Sequence, residues 1–350
     1  MSFILYKMRA IKFLVRDKLS LIRWKKIPDD PQDYARPTLS ILNNAQIEKI
    51  KDVAYSILEN VGVTLSHPIA RDLLAKAGAS LEDNRVRLPK NLVERCINLA
   101  PKGFTLFTRD GKPLLELKGK NFFYGTSTAS PYTRDAITGE IHNTRVEDLE
   151  RSAKIADSLG NIDYVMPMGS AQDVPAKCSD LYEFIATVSN TTKPIVTIAL
   201  TPHGLRGIIE MAEIIAGGKE ILLAKPFIIN YPEPVTPLTF PDEPVEKMLI
   251  AAEYGIPQLV GPTVQPGATG PVTLAGSIAQ LVAEGLMSVV LIQLKNPGAP
   301  CFLAGNINIF DMRTTLMSVA APEMSLGISA HAEVARSFGL PTWGMAGCAD

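Results

Sequence analysis

The spacing of hydrophobic positions changes near residue 120. Before it, Ile47, Ile50, Val53, Ala54, Ile57 and Leu58 recur on one helical face and Gly62 follows as a stop, which predicts a helix over 44–62. A second predicted helix runs from about Pro68 to Ala77 and ends at Gly78. Arg85-Val-Arg-Leu alternates as a short strand, and Leu88-Pro-Lys-Asn opens a third helix that stops near Pro101. After residue 120, short apolar runs alternate with helical stretches. The runs are Phe122-Phe-Tyr, Tyr164-Val-Met, Pro194-Ile-Val-Thr-Ile, Pro226-Phe-Ile-Ile-Asn, Gln258-Leu-Val-Gly, Ser288-Val-Val-Leu-Ile and Pro341-Thr-Trp-Gly. Predicted helices over 145–159, 177–190, 203–216, 243–254, 271–286 and 314–338 separate them.

Most of these runs lie about 30 to 40 residues apart, the length of one strand–helix unit. Tyr254-Gly-Ile-Pro and Phe338-Gly-Leu-Pro share a punctuation in which glycine caps a helix and proline forbids its continuation. Continuous apolar runs suit strands buried on both faces. The pattern therefore predicts an α/β fold, a (β/α)8 TIM-type barrel, with a small α-rich N-terminal cap. No GxGxxG follows an early strand, which disfavours a doubly wound open sheet. Only seven strand starts are visible, with 288–305 taken as one strand region, so the barrel is expected to be incomplete and the chain to be a fragment. The expected organisation is a basic, poorly ordered extension over 1–40, the cap over 41–120, and the barrel over 121–350 with its last unit missing.

Composition narrows the function classes. Hydrophobic residues make up 46% of the 350-residue chain, and the formal net charge is -1. That suits a globular protein with a large core and gives no electrostatic case for nucleic acid. The apolar stretches in residues 1–27 are too short for a signal peptide or a membrane span, although a basic amphipathic helix on a membrane surface is an alternative. Four cysteines (Cys96, Cys178, Cys301, Cys348) form no CxxC pair, and four histidines have no ligand spacing. Neither a disulfide framework nor a metal site is expected, and a reducing cytoplasm fits.

In a barrel the reactive groups sit in loops after the strands. That criterion selects Tyr124 and Thr126, Met166-Pro-Met-Gly-Ser, Asn230, Tyr231 and Glu233, Gln265 within Gly261–Gly270, Gln293 with Gly305-Asn306, and Gly347-Cys348. The rings of Tyr124, Tyr231 and Phe302 are suited to a cation, with Glu233 as counter-charge. Core packing explains each aromatic equally well, and a solvated loop charge explains Glu233. The Gly-rich turn before Pro271 lacks the P-loop form; an anion at the helix N-terminus and a close approach to a flat cofactor both remain open. Glu323, in the first turn of a helix, is explained by the dipole alone. These features stop at a barrel enzyme with an uncharged polar mouth.

The ordered set Ile57-Leu-Glu-Asn-Val-Gly-Val, Ala75-Lys-Ala-Gly-Ala, Leu99-Ala-Pro-Lys-Gly-Phe, Thr108-Arg-Asp-Gly, Asn161-Ile-Asp-Tyr, Ala321-Pro-Glu-Met-Ser-Leu-Gly-Ile-Ser-Ala and Leu340-Pro-Thr-Trp-Gly-Met-Ala-Gly-Cys-Ala-Asp resembles the trimethylamine methyltransferase family from about residue 40 onward. The resemblance implies a barrel that binds a methylated amine in its mouth. A separate corrinoid protein would present the methyl acceptor, with no cofactor held covalently by this chain. True trimethylamine enzymes carry pyrrolysine in the loop after the last strand. The resemblance places Cys348 there, so the implied substrate is a quaternary amine similar to glycine betaine rather than trimethylamine. A small quaternary or tertiary methylated amine, a corrinoid protein and a second copy of the chain are the implied partners. The substrate side of the site is assigned to Tyr124, Thr126, Asn230, Tyr231, Glu233, Gln265, Gln293 and Glu323. Two other readings stand beside this one: a truncated, inactive amine- or corrinoid-protein-binding fragment, and an unrelated barrel lyase.

Overall fold

A computed structural model describes residues 39–347. Residues 1–38, which hold nearly all of the basic N-terminal segment, and Cys348 lie outside the described residues. The helices in chain order are α1 (Asn44–Ser56), α2 (Pro68–Ala77), α3 (Lys90–Leu99), α4 (Val146–Ser158), α5 (Ser179–Asn190), α6 (Pro202–Ala216), α7 (Lys219–Ala224), α8 (Asp242–Glu253), α9 (Leu274–Lys295) and α10 (Pro322–Ser337). Local chemistry sets several ends. Asn43 and Gln46 form a reciprocal capping box at α1, and Gly78 adopts a left-handed conformation after α2. Thr201 and Thr273 accept the N–H groups of Gly204 and Gly276 at the starts of α6 and α9.

The expected closed (β/α)8 barrel is not formed. Among the described residues the strands fall into one four-stranded sheet and several two-stranded ones, both parallel and antiparallel, and none closes on itself. The physical reasons are specific. Ile195–Thr197 and Ile228–Asn230 form a parallel pair of only three residues each, and neighbouring segments join them by isolated bridges. A barrel requires a continuous ring of ladders. The strand expected at Ser288-Val-Val-Leu-Ile is instead the interior of α9, where Ser277 to Gln293 are all buried. A helix buried on every side has no polar stripe, so its apolar run mimics a central strand. The parallel segment of that region is at Cys301, which bridges Gln258. The final long helix also begins at Pro322 rather than 314, because Ile309–Asp311 and Leu316–Ser318 form an antiparallel pair before it.

The observed architecture is an open α/β arrangement. Segments around Gly125, Tyr164, Ile195, Asn230, Gln258 and Cys301 run side by side in chain order through parallel bridges. The Leu303 N–H then donates to Pro341 O and that of Gly305 to Trp343 O, which adds the last segment. The hairpin of Phe104–Phe107 with Pro113–Leu117 packs Leu106 and Leu115 against Val196, Ile229 and Leu259 on the inner face of this arc. Behind the arc, α9 shares one large core with α1, α2 and α3, including Ala54, Leu58, Leu74, Val93, Leu286 and Val290. By length and composition α9 could cross a membrane, and 89% of its most apolar window is buried inside the protein.

Candidate functional site

A cavity of about 840 Å³ opens on the inner face of the arc. Its wall is mainly apolar and aromatic: Val196, Ile229 and Leu259 from successive segments, with Tyr164, Phe302 and Trp343. Phe302 meets Phe104 edge to face at 5.2 Å between ring centres. The Trp343 indole Nε1 donates to Tyr164 Oη at 2.7 Å, so aromatic groups from the second and the last segments of the arc are locked together. Gly125 is required there, because a Cβ at this position would enter the Tyr164 ring. Burial raises the Tyr164 phenol pKa, keeping it a neutral hydrogen-bonding group.

Lys102, Lys118, Lys120 and Arg336 also line the cavity, and no carboxylate lines it. Lys102 Nζ donates to Ile97 O and Phe338 O, which ties α3 to the end of α10. Desolvation holds its pKa below the ordinary lysine range. The cavity thus pairs an electron-rich aromatic wall with a cationic border.

Of the rings expected to face a cation, Phe302 lines this cavity; none of the eight residues assigned to the substrate side does. Tyr231 packs against its wall, and Glu233 is hydrogen-bonded to Tyr231. The Tyr231 ring lies 5.7 Å from that of Trp343, and its hydroxyl donates to Glu233 Oε1 at 2.7 Å. Burial, then the Glu233 charge, raises the Tyr231 phenol pKa far above its ordinary value. Gly261 has no Cβ to collide with this ring. The Tyr231–Glu233 pair therefore backs the Trp343 wall.

The other expected residues are elsewhere. Tyr124 is exposed against Phe122, and its N–H donates to Asp163. Thr126 Oγ1 donates to Met166 O and accepts from Met166 N–H, pinning the first two segments. Asn230 is buried, with its amide directed at Lys247 O and Gln258 Oε1. Gln293 is buried in α9 and clamps the following turn through Gly298 N–H and Ala299 O. Gln265 reaches Met317 Sδ, and Glu323 lies exposed in the first turn of α10. Cys348 lies outside the described residues. Sequence reasoning did not single out Tyr164 and Trp343. Both sit inside apolar runs read as strands, where a cavity-facing aromatic looks like core. Among the described residues no group of three or more His, Cys, Asp or Glu side chains is placed to hold a metal ion.

Comparison with known proteins fits this arrangement to one family. The sequence profile of trimethylamine methyltransferase (MTTB) matches residues 25–350, and the chain belongs to that family. It is 29% identical over 307 residues to the glycine betaine methyltransferase of Desulfitobacterium hafniense strain Y51, covering 87% of this chain and 64% of that protein. It is 28% identical over 313 residues to the trimethylamine methyltransferase MttB of Methanosarcina barkeri strain Fusaro, covering 87% of this chain and 63% of the relative. The chain thus spans a little under two thirds of these relatives' length. The crystal structure of the Methanosarcina barkeri monomethylamine methyltransferase (MtmB) superposes with a TM-score of 0.50 at 12% identity, over 85% of this chain and 65% of that one, a likeness of fold.

Proposed function

We propose that this chain carries the amine-binding part of a methyltransferase that moves a methyl group from a carboxylate-bearing quaternary amine, of the glycine betaine type, to a corrinoid protein in the cytoplasm. The observation that carries the reading is the cavity with an aromatic wall at Tyr164, Phe302 and Trp343 and a cationic border without carboxylates. Aromatic faces attract a quaternary ammonium group, at about 0.5–2 kcal/mol per well-placed ring. The border of Lys102, Lys118, Lys120 and Arg336 disfavours a bare cation and attracts a carboxylate. A zwitterion meets both conditions at once. The name of one similar relative, glycine betaine methyltransferase, falls in this chemical class, and that of another, trimethylamine methyltransferase, falls among the methylated amines more broadly.

The chemistry demands little acid–base work. The methyl carbon leaves nitrogen and bonds to the cobalt of a separately presented corrinoid, which supplies the electron pair as Co(I). The C–N pair stays on nitrogen, so the leaving amine is neutral and no proton moves. Because the positive charge on nitrogen disappears as the bond breaks, cation–π contacts favour bound substrate over the transition state. The contribution of Trp343 and Tyr164 is therefore affinity and orientation, and rate comes from in-line placement and exclusion of water.

Calorimetric titration tests this reading. Glycine betaine is expected to bind at least about 10-fold more tightly than tetramethylammonium, a gap of roughly 1.4 kcal/mol. Trp343→Ala is expected to weaken betaine binding by about 10-fold, whereas Trp343→Phe keeps most of the affinity. Mixing with a reduced Co(I) corrinoid protein should then produce the methylated-corrinoid spectrum with betaine and not with trimethylamine. No betaine binding, or equal affinity for tetramethylammonium, would overturn the assignment.

A further inference from the structure

The turn that carries the Tyr231–Glu233 pair continues into Val235–Thr239. Val235 and Thr239 exchange both backbone hydrogen bonds, which makes this turn tight. Within it Leu238 holds a φ of 50°, a left-handed conformation that is strained for a residue with a side chain. Something must over-determine that geometry. The Leu238 N–H donates to Glu284 Oε1 at 2.8 Å, and Leu238 O accepts from Thr64 N–H.

Glu284 belongs to α9 and is fully buried. Its Oε1 also accepts from Gln280 Nε2 at 3.0 Å, and Gln280 in turn donates to Thr269 O. Thr269 Oγ1 accepts from Gln265 N–H and lies 3.3 Å from Thr236 Oγ1, whose hydroxyl donates to Thr263 O at 2.8 Å. One buried carboxylate is therefore the common anchor of the 235–239 turn and, through Gln280, of the 263–270 turn. Its second oxygen, Oε2, has no hydrogen-bond partner among the described residues. An acidic side chain in a core with one oxygen unpaired is costly and gives no packing advantage over leucine.

We propose that Glu284 is a positioning residue: it holds the 235–239 turn, and through it the Tyr231–Glu233 pair, in the register that backs Trp343 at the proposed amine site. This rests on the reading of that site given above.

Glu284 also makes the turn sensitive to pH. Burial raises its carboxyl pKa to about 7, partly offset by the Leu238 N–H and the Gln280 amide. The segments packed on α9 carry the buried titratable groups Tyr55, His67, Cys96, Lys247, Cys301, His331 and Glu333. None of them contributes to the Glu284 shift. The sign follows from linkage. Below the ordinary carboxyl range the group is protonated whether the turn is closed or open. Between that range and about 7 the open form ionises while the closed form keeps its proton, so opening becomes easier as pH rises. Above about 7 both forms are ionised and the effect levels off.

Amide hydrogen exchange across 233–240, corrected for intrinsic rates, tests this in the full chain. Turn opening in the native sequence should rise by at least about 10-fold between pH 5 and 7 and then level off, whereas Glu284→Gln, which keeps an acceptor and cannot ionise, should be flat. In parallel, Glu284→Leu should weaken glycine betaine binding by about 10-fold and Glu284→Gln should restore it. A native exchange profile as flat as that of Glu284→Gln overturns the proposal, as does native affinity in a folded Glu284→Leu. If the native chain binds no betaine, the amine-site reading fails, and the exchange profile still decides whether Glu284 holds the turn. If Glu284→Leu does not fold, the comparison of the native chain with Glu284→Gln decides alone.

Discussion

His331 is fully buried in α10, and neither ring nitrogen has a hydrogen-bond partner among the described residues. One ring nitrogen of a neutral imidazole must carry a hydrogen, so an unmet donor sits in the core. Burial lowers the His331 pKa to about 4. The unfolded chain then takes up a proton near the ordinary histidine pKa of about 6.5, and the folded chain does so only near 4. Stability is expected to be complete above 6.5 and to fall as pH drops from there toward 4. His331→Leu fills similar space without an unmet donor, so it should flatten this acid limb and raise the melting temperature at pH 5 more than at pH 7.5. Thermal unfolding at the two pH values measures the difference. A larger gain at pH 7.5, or none at either, would mean that His331 has a partner in solution. The residue scale was also the least legible in sequence. Tyr164 and Trp343 acquire their role only because Gly125 leaves room for one ring and the other reaches it from 179 residues away.

At the scale of elements, local signals served well and long-range pairing did not. Periodicity marked α1 and α2, and Gly78 marked the end of α2, because such signals act within a few residues; the N-caps Asn43 and His67 emerge only in the structure. The run 288–292 misled because α9 contacts apolar neighbours all round, and burial of that kind erases the difference between helical and strand periods. Glu333 shows a link that no local pattern could reveal. Its two carboxylate oxygens accept from Ile41 N–H and Leu42 N–H, both at 2.8 Å, and so fasten the segment before α1 onto α10 across 291–292 residues of sequence. Removing the carboxylate leaves two part-buried N–H groups unpaired at once. Glu333→Ala is expected to cost about 1–3 kcal/mol and to speed amide exchange selectively in 41–47. Denaturant unfolding combined with site-resolved exchange checks it. Uniform loss of protection across α10 would instead make Glu333 a general core residue.

At the scale of the whole molecule, a nearly neutral chain concentrates four cations around one cavity. Composition could not disclose this, because Lys102, Lys118, Lys120 and Arg336 look unremarkable in a chain with 35 basic and 36 acidic residues. Folding assembles them from two ends of the described sequence while keeping carboxylates out of the lining. Under the proposed function this arrangement would act on the carboxylate half of the ligand, and its reach would depend on salt. Border cations near the surface are screened over a Debye length of about 8 Å at physiological ionic strength and about 3 Å at 1 M. The aromatic wall acts at contact distance and is far less screened. Betaine affinity is therefore expected to fall several-fold between 0.05 and 1 M sodium chloride, by about 0.5–1 kcal/mol. Arg336→Gln should flatten that slope, whereas Trp343→Ala should lower affinity by a similar factor at every salt concentration. Isothermal titration of the three proteins across the salt series separates the two halves of the site. A salt-independent affinity in the native chain would remove the cationic border from recognition and leave only the ammonium end to be read.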